Sequence, residues 1–437
     1  MKILHVFHHS NLLNGVDKTT CILITALQKR GLAPVAVVPA FGDVTEFLTS
    51  INVPFDVIPY SCCISPTWRA QLRFLADTSS QRPDLKASIE KHKPDLIHLN
   101  TGHLFHAGLV AAQCNIPTIW HIHAPFDNDL KRYQSAIGKG GYRWILENLS
   151  SQIIGVSNDV TESLRKNISS DHIQTLHNGV DIDALQSASL ESSTSIRDEL
   201  NLPLDSKLVL GVGRISAQKD FASFARVANI SRKTDDKLFF IIAGPEEGPE
   251  AVNLLKDEIN RLNLSKIVFI LGPRRDVPSL IAQCDIFLST AIFEGHPIAT
   301  LEVMALQKPV VAMACQGLRE CLENEVGGLL VEPYDEAGAA HCIIRLIKDH
   351  ALSKTISARG YEFVSNNFSS EIYTHEFINI AETTINTGPA SASNDELEMI
   401  GGLLAEINKA HRRLLTFEQQ TIAQRFKNLM WHILHPT

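Results

Sequence analysis

Short runs rich in Val, Ile and Leu alternate with helix-spaced segments over most of this chain, and the alternation occurs twice. In the first series the candidate strands are Ile3–Phe7, Pro34–Val38, Phe55–Ile58, Asp95–Leu99, Thr118–His123, Gln152–Val156 and Ile173–Leu176. Between them, stretches such as Lys18–Arg30 and His103–Cys114 carry apolar residues at helical spacing. This pattern predicts βαβ crossovers and a parallel sheet covered on both faces. Asn178-Gly179 is a turn signal that closes the series. The second series runs through Lys207–Gly211, Leu238–Ala243, Ile267–Leu271, Ile286–Ser289, Pro309–Ala314 and Leu329–Val331. Helical segments Ala337–Lys348, Leu352–Asn366 and Glu371–Ile385 follow it. A length of 437 residues exceeds what one hydrophobic core serves, so two domains are expected. Two doubly wound sheets in tandem leave a crevice, and ligands of such sheets bind beyond the carboxyl ends of the strands.

Composition removes several function classes. A net charge of −8 argues against a general nucleic-acid binder, which needs a basic surface. The eight cysteines have no metal-ligand spacing, and several lie in apolar segments such as Val311–Cys315. They read as buried reduced thiols, which fits a reducing compartment. No apolar stretch reaches the roughly 18 residues of a membrane span, and His8-His9 interrupt the N-terminal apolar run before a secretory core forms. A cytoplasmic location is expected.

Two carboxylates stand out at the carboxyl end of a second-series strand. Glu294 follows the run Asp285–Ser289, and Glu302 lies eight residues on, where Leu301, Met304 and Ala305 read as a buried helical face. Eight residues is a little over two helical turns, so both carboxylates are expected to point into one cleft at the helix start. Carboxylates accept hydrogen bonds from neutral hydroxyls, which suits sugars, whereas the opening amides of a helix suit phosphates. Arg214 and Lys219, after Val209-Leu-Gly-Val-Gly213, are placed to converge on one diphosphate.

The segment Phe293-Glu-Gly-His-Pro-Ile-Ala-Thr-Leu-Glu302 resembles the E-x(7)-E motif of the family-4 retaining glycosyltransferases, which have the GT-B fold and use nucleotide sugars. Four further landmarks occur in that family's order. Gly211–Asp220 resembles its Gly-Arg…Lys diphosphate loop, and Asn178–Asp181 its Asn-Gly-Val-Asp interdomain turn. Ile242–Glu250 resembles its Ala-Gly-x-Gly-Pro-Glu loop with an insertion, and Asn14-Gly-Val-Asp-Lys18 its Gly-Gly-x-Glu-Arg loop. The likeness spans residues 1 to about 386. It implies an α/β chain of two tandem Rossmann-like domains facing across a cleft, plus a C-terminal helical extension. The N-terminal, acceptor-binding domain is residues 1–180, and the C-terminal, nucleotide-sugar domain is 181–370. Helix 371–386 crosses back to the first domain, and 388–437 form a linker and helical tail.

The resemblance also implies roles. Glu302 would take the ribose hydroxyls and Glu294 the donor-sugar hydroxyls. Amides near Gly295 and at Ile298, Ala299 and Thr300 would approach the phosphates, and Gly15 would admit them closely from the other side. Where the family has Glu-Gly-Phe-Gly, this chain has His296-Pro297. Pro297 lacks an amide hydrogen, and His296 is expected to contact sugar or phosphate instead. A strand-end histidine beside the donor sugar is either His123, which is preferred, or His121, which strand alternation turns the same way. Arg274 is placed near the base. The catalytic set is therefore His123, Arg214, Lys219 and Glu294. With two cations for the leaving group, no metal or cofactor is required, and the triplets Asp127-Asn-Asp129 and Asp181-Ile-Asp183 are read as incidental.

The implied activity is a retaining, metal-independent hexosyltransferase that uses a UDP- or GDP-sugar to extend a cell-surface glycan or glycolipid. Its acceptor is a glycan or lipid-linked molecule. A catalytically silent scaffold, or another enzyme of the fold such as a nucleotide-sugar epimerase, is the alternative. On the acceptor side, Lys131, Arg132, Lys139 and Arg143 alternate with Tyr133, Tyr142 and Trp144, a pattern that fits an anionic or lipid-linked acceptor and an anionic membrane surface. After the linker Gly388–Asn394, the tail repeats apolar residues at helical spacing with Lys409, Arg412, Arg413, Arg425 and Lys427. It is read as docking on the enzyme or on a second copy, ahead of an interfacial helix on anionic lipid.

Overall fold

The computed structural model describes the chain apart from residues 14, 61–63, 66–73, 75–82, 127–133, 136–137, 192–193, 323–325, 391, 394, 398–399, 401 and 403–437. Two parallel sheets organise it. The first has the order β3-β2-β1-β5-β6-β8-β9, from β1 (Lys2–Val6), β2 (Ala33–Val38), β3 (Phe55–Val57), β5 (Leu96–Leu99), β6 (Thr118–Ile122), β8 (Gln152–Gly155) and β9 (Ile173–Thr175). A two-residue antiparallel pair, β4 (Ile64–Ser65) with β7 (Gln134–Ser135), stands apart. The second sheet runs β12-β11-β10-β13-β14-β15, from β10 (Lys207–Val212), β11 (Leu238–Ala243), β12 (Val268–Gly272), β13 (Ile286–Ser289), β14 (Val310–Met313) and β15 (Leu329–Val331). Every pairing within the two main sheets is parallel, and the central strands are buried on both faces by crossover helices. This is why the strands read as continuous apolar runs. The result is two Rossmann-like domains facing across a cleft, as the sequence predicts.

Three histidines break the apolar rule in the first sheet. His5 and His98 are register partners on β1 and β5, and His121 lies on the adjoining β6. All three are buried. His5 Nδ1 lies 3.0 Å from His98 Nδ1, and His98 Nε2 lies 3.3 Å from His121 Nδ1. Burial pushes the His5 pKa down to about 3 and holds those of His98 and His121 well below the ordinary value. The string is neutral, and the nitrogens that face one another alternate as donor and acceptor, while the outer ones, His5 Nε2 and His121 Nε2, are buried with no hydrogen-bond partner among the described residues.

Helix Ser370–Thr387 leaves the second domain and packs Tyr373, Phe377 and Ala381 against Ile3, Leu23, Ile119 and Ile154 of the first. The chain therefore crosses between the domains twice, and the two crossings lie side by side. The Val180 amide donates to the Phe368 carbonyl at 2.9 Å, and the Ser370 amide to the Val180 carbonyl at 2.9 Å. Gly179 makes this possible, because a Cβ there would fall 2.5 Å from that of Tyr373. Beyond the crossing helix, Leu397 is buried in the first domain's core, with Ala392 and Ile400 against it. The start of the tail thus docks on the N-terminal domain; its basic residues from Lys409 onward lie outside the described residues.

No helix among the described residues is long and apolar enough to cross a membrane. The described cysteines, Cys21, Cys114, Cys284, Cys315, Cys321 and Cys342, are free thiols; Cys62 and Cys63 lie outside the described residues.

Candidate active site

The cleft between the carboxyl ends of the two sheets has a volume of about 1320 Å³. That exceeds a single small-ligand pocket and leaves room for two substrates. Its second-domain wall is built by strand-end loops, the one after β12 bringing Arg274 and Arg275. The loop after β10 carries Arg214 and Lys219 into helix Phe221–Arg232, and the Thr290 hydroxyl fastens it by donating to the carbonyls of Lys219 (3.0 Å) and Asp220 (2.9 Å). The loop after β11 supplies Glu247, which pairs with Arg214. The loop after β13 carries Glu294 and enters helix Ile298–Ala305, whose second turn presents Glu302.

The two glutamates share the cleft, although one helical repeat does not align them. Pro297 is the N-cap of a helix that begins only at Ile298, so Glu294 reaches the cleft from the loop and Glu302 from the helix. Glu294 is paired with Lys219, and Gln218 Nε2 donates to the Phe293 carbonyl beside it at 3.1 Å. Glu302 is paired with Lys18, in the first turn of helix Gly15–Lys29 of the other domain. Both carboxylates are almost sealed from solvent. Each cleft carboxylate is therefore neutralised by a lysine, Glu294 by Lys219 of its own domain and Glu302 by Lys18 of the other, while Arg214 is taken by Glu247.

Gly295 marks where the domains touch. A Cβ there would lie 2.1 Å from the His123 carbonyl oxygen, so only glycine lets the loop after β13 close on the end of β6. Around it, the Asn178 side chain donates to the His296 carbonyl at 3.2 Å, and the Gly317 amide to Asp159 Oδ2 at 3.2 Å. Glu320 accepts from the amides of Asn158 and Asp159 at 2.8 and 2.9 Å, capping a helix of the opposite domain, and pairs with His177.

His123, Gly15, Arg214, Lys219, Arg274, Glu294, Gly295, His296, Ile298, Ala299 and Glu302 all line the cleft. Thr300 is buried, and its amide donates to the Pro297 carbonyl at 3.1 Å, so it is turned away. β6 ends at Ile122, and only His123 projects into the cleft; His121 stays behind it in the histidine string, ring centroids 4.6 Å apart. The His296 ring packs on His177 (5.0 Å) and Phe368 (4.9 Å) at the double crossing, and burial pushes its pKa down to about 3. Arg274 is held by Asp276 and Glu199 at the cleft rim. Asp181 caps helix Ile182–Ser189, its carboxylate accepting from the Ala184 amide at 3.0 Å. Lys131, Arg132 and Asp127-Asn-Asp129 lie outside the described residues. Sequence reasoning assigned nothing to Lys18, Glu247 or Glu320. Lys18 and Glu247 did lie inside marked loops, Asn14–Lys18 and Ile242–Glu250, whereas Glu320 carried no signal.

Two family models match in tandem: Glycosyltransferase Family 4 over residues 13–184 and Glycosyl transferases group 1 over residues 192–363. The chain belongs to the family-4 glycosyltransferases. Among relatives of this glycosyltransferase, the UDP-Gal:alpha-D-GlcNAc-diphosphoundecaprenol alpha-1,3-galactosyltransferase of Escherichia coli is 25% identical over 362 residues, 81% of this chain and 89% of the relative. The N,N'-diacetylbacillosaminyl-diphospho-undecaprenol alpha-1,3-N-acetylgalactosaminyltransferase of Campylobacter jejuni is 31% identical over 153 residues, 35% of this chain and 39% of the relative. The fold matches Anabaena Alr3699/HepE, solved in complex with UDP-glucose, with a TM-score of 0.73 at 21% identity, covering 88% of this chain and 99% of that one.

Proposed function

We propose that this glycosyltransferase moves a sugar, with retention of configuration, from a UDP- or GDP-sugar to a glycan or lipid-linked acceptor in cell-surface polysaccharide or glycolipid synthesis. The observation that carries the reading is the pair of ion pairs, Lys219–Glu294 and Lys18–Glu302, around the start of helix Ile298–Ala305. A phosphate-type cation beside a hydroxyl-type carboxylate, given twice, matches a nucleotide sugar, whose diphosphate lies between two sets of hydroxyls. Relatives named for undecaprenyl-diphosphate-linked acceptors support the lipid-linked alternative.

In this reading Glu302 grips the ribose and Glu294 the donor sugar. Arg214 and Lys219 stabilise the charge that develops on the leaving diphosphate, helped by the amides of Ile298 and Ala299. The bond from the sugar's anomeric carbon to the phosphate oxygen breaks, and its electron pair stays on the diphosphate. The acceptor hydroxyl forms the new bond, and its proton passes to the departing phosphate oxygen. His123, across the cleft, orients the donor and polarises the acceptor hydroxyl. The two cations suffice for the leaving group, so the reaction needs no metal. The enzyme acts on the cytoplasmic side, with the basic segment around Lys139 and Arg143 and the tail resting on an anionic membrane surface. A panel of UDP- and GDP-sugars, scored for nucleotide release with and without undecaprenyl-diphosphate-linked sugar, tests the reading. Release from no donor would leave a silent scaffold.

A further inference from the structure

Glu302 cannot meet a ligand as it stands. Its side chain is only 4% exposed beneath Lys18, so a hydroxyl arriving from the cleft meets the ammonium before the carboxylate. Glu294 is covered by Lys219 in the same manner, but that lysine belongs to the same domain. Lys18 reaches over from the other one. It is itself a third exposed, on a flexible four-carbon stem, and free to swing.

Its surroundings indicate where the ammonium goes. A Cβ on Gly15 would lie 3.7 Å from Cγ1 of Ile298, so the first turns of helices Gly15–Lys29 and Ile298–Ala305 meet across the cleft. Both helix starts carry positive partial charge, and Lys219 and Arg214 line the same cleft. A lysine released from Glu302 beside these groups would be an uncompensated charge unless an anion arrives with the ligand.

We infer that Lys18 is a diphosphate ligand supplied by the N-terminal domain, and that donor binding works by exchange of partners. Glu302 passes from Lys18 to the ribose hydroxyls, and Lys18 passes from Glu302 to a phosphate oxygen. This rests on the donor-site reading above. A nucleoside diphosphate completes both halves of the exchange. A nucleoside completes only one, because it must displace Lys18 and offers it nothing. The ion pair is therefore a selectivity device that favours nucleotides over nucleosides, and the diphosphate becomes a bridge between the two domains.

Calorimetry with UDP and GDP, and displacement of the bound nucleotide by uridine or guanosine, tests the exchange in wild type, Lys18→Met and Lys18→Arg. Lys18→Met should weaken the diphosphate roughly ten- to hundredfold, the range for loss of a charge-assisted hydrogen bond. The same variant should bind the nucleoside severalfold more tightly than wild type, because Glu302 is uncovered. Lys18→Arg should keep the nucleotide affinity within a few-fold. Equal weakening of nucleotide and nucleoside by Lys18→Met would mean that Lys18 only shapes the site, and unchanged UDP and GDP affinity would mean that no phosphate meets it. Either result overturns the inference alone. A wild type that binds neither nucleotide overturns the donor-site reading and the exchange together.

Discussion

His177, next to the interdomain turn, and Glu320, on a short helix of the second domain, meet with Nε2 and Oε2 2.9 Å apart. The same carboxylate caps the helix that starts at Asn158, so one side chain joins three separate parts of the domain junction. Burial alone would raise the Glu320 pKa. The hydrogen bonds from His177 and the two amides outweigh it and hold the carboxyl below its ordinary value of 4.5.

Glu320→Ala should therefore destabilise the folded chain by roughly 1–2 kcal/mol, the cost of a lost cap with a charged acceptor. A carboxyl with a depressed folded pKa stabilises fully well above its unfolded value. That contribution declines as pH falls below 4.5 and is gone beneath the folded value. Urea unfolding of wild type and variant at pH 7 and at stepwise lower pH reads both effects. A difference that grows on acidification would contradict this assignment.

At the donor site, Glu302→Ala and Lys219→Ala should each weaken UDP or GDP binding by roughly 1.5–3 kcal/mol, about ten- to hundredfold. The two differ in the free protein. Lys219→Ala strands Glu294 as a buried charge, so it should also lower thermal stability, and Lys219→Ala/Glu294→Gln should recover most of that loss. Calorimetry and thermal unfolding of the three variants separate binding from stability. Wild-type affinity in both single variants would move the nucleotide elsewhere.

The buried histidines make acid stability steep. His5, His98, His121 and His296 all have folded pKa values pushed below 6.5 by burial, so the unfolded chain binds more protons than the native one once pH drops through 6.5. Each contributes a slope of about 1.4 kcal/mol per pH unit in that window, lost as pH falls. His5→Leu should make the slope of unfolding free energy between pH 6 and 5 shallower by about that amount. An unchanged slope would mean that His5 is protonated in the fold.

Transfer activity in excess EDTA should match that with added magnesium or manganese. A collapse restored only by a divalent ion would remove the leaving-group role from Arg214 and Lys219.

Membrane association is tested by co-sedimentation with liposomes containing anionic lipid. The enzyme should pellet at low salt, release as salt rises, and bind less when Lys131, Arg132, Lys139 and Arg143 are neutralised. A wild type that stays in the supernatant would point to a soluble acceptor.

Strands buried on both faces advertise themselves, which is why runs such as Leu238–Ala243 and Ile286–Ser289 match the sheet residue for residue. Which face a strand-end residue takes is less legible. Alternation put His121 and His123 together, but β6 stops at Ile122, and one residue of loop is enough to send His123 into the cleft while His121 remains buried. The charged landmarks were readable because Arg214, Lys219 and Glu294 sit in strand-end loops and Glu302 in the helix that follows one. Their partners were not. Lys18 meets Glu302 across 284 positions, and Glu320 meets Asn158 across 162, and local spacing carries no record of how two domains dock.

The crossing helix has a consequence for how this protein is made. The face of the first sheet that Tyr373 and Phe377 cover belongs to strands finished by Thr175, yet its cover is the segment Ser370–Thr387. At about 5–20 residues per second, a ribosome takes roughly ten to forty seconds to bridge that gap. Throughout that interval the leading half of the nascent chain waits with an apolar surface bare. The first domain to be synthesised is the last to be closed.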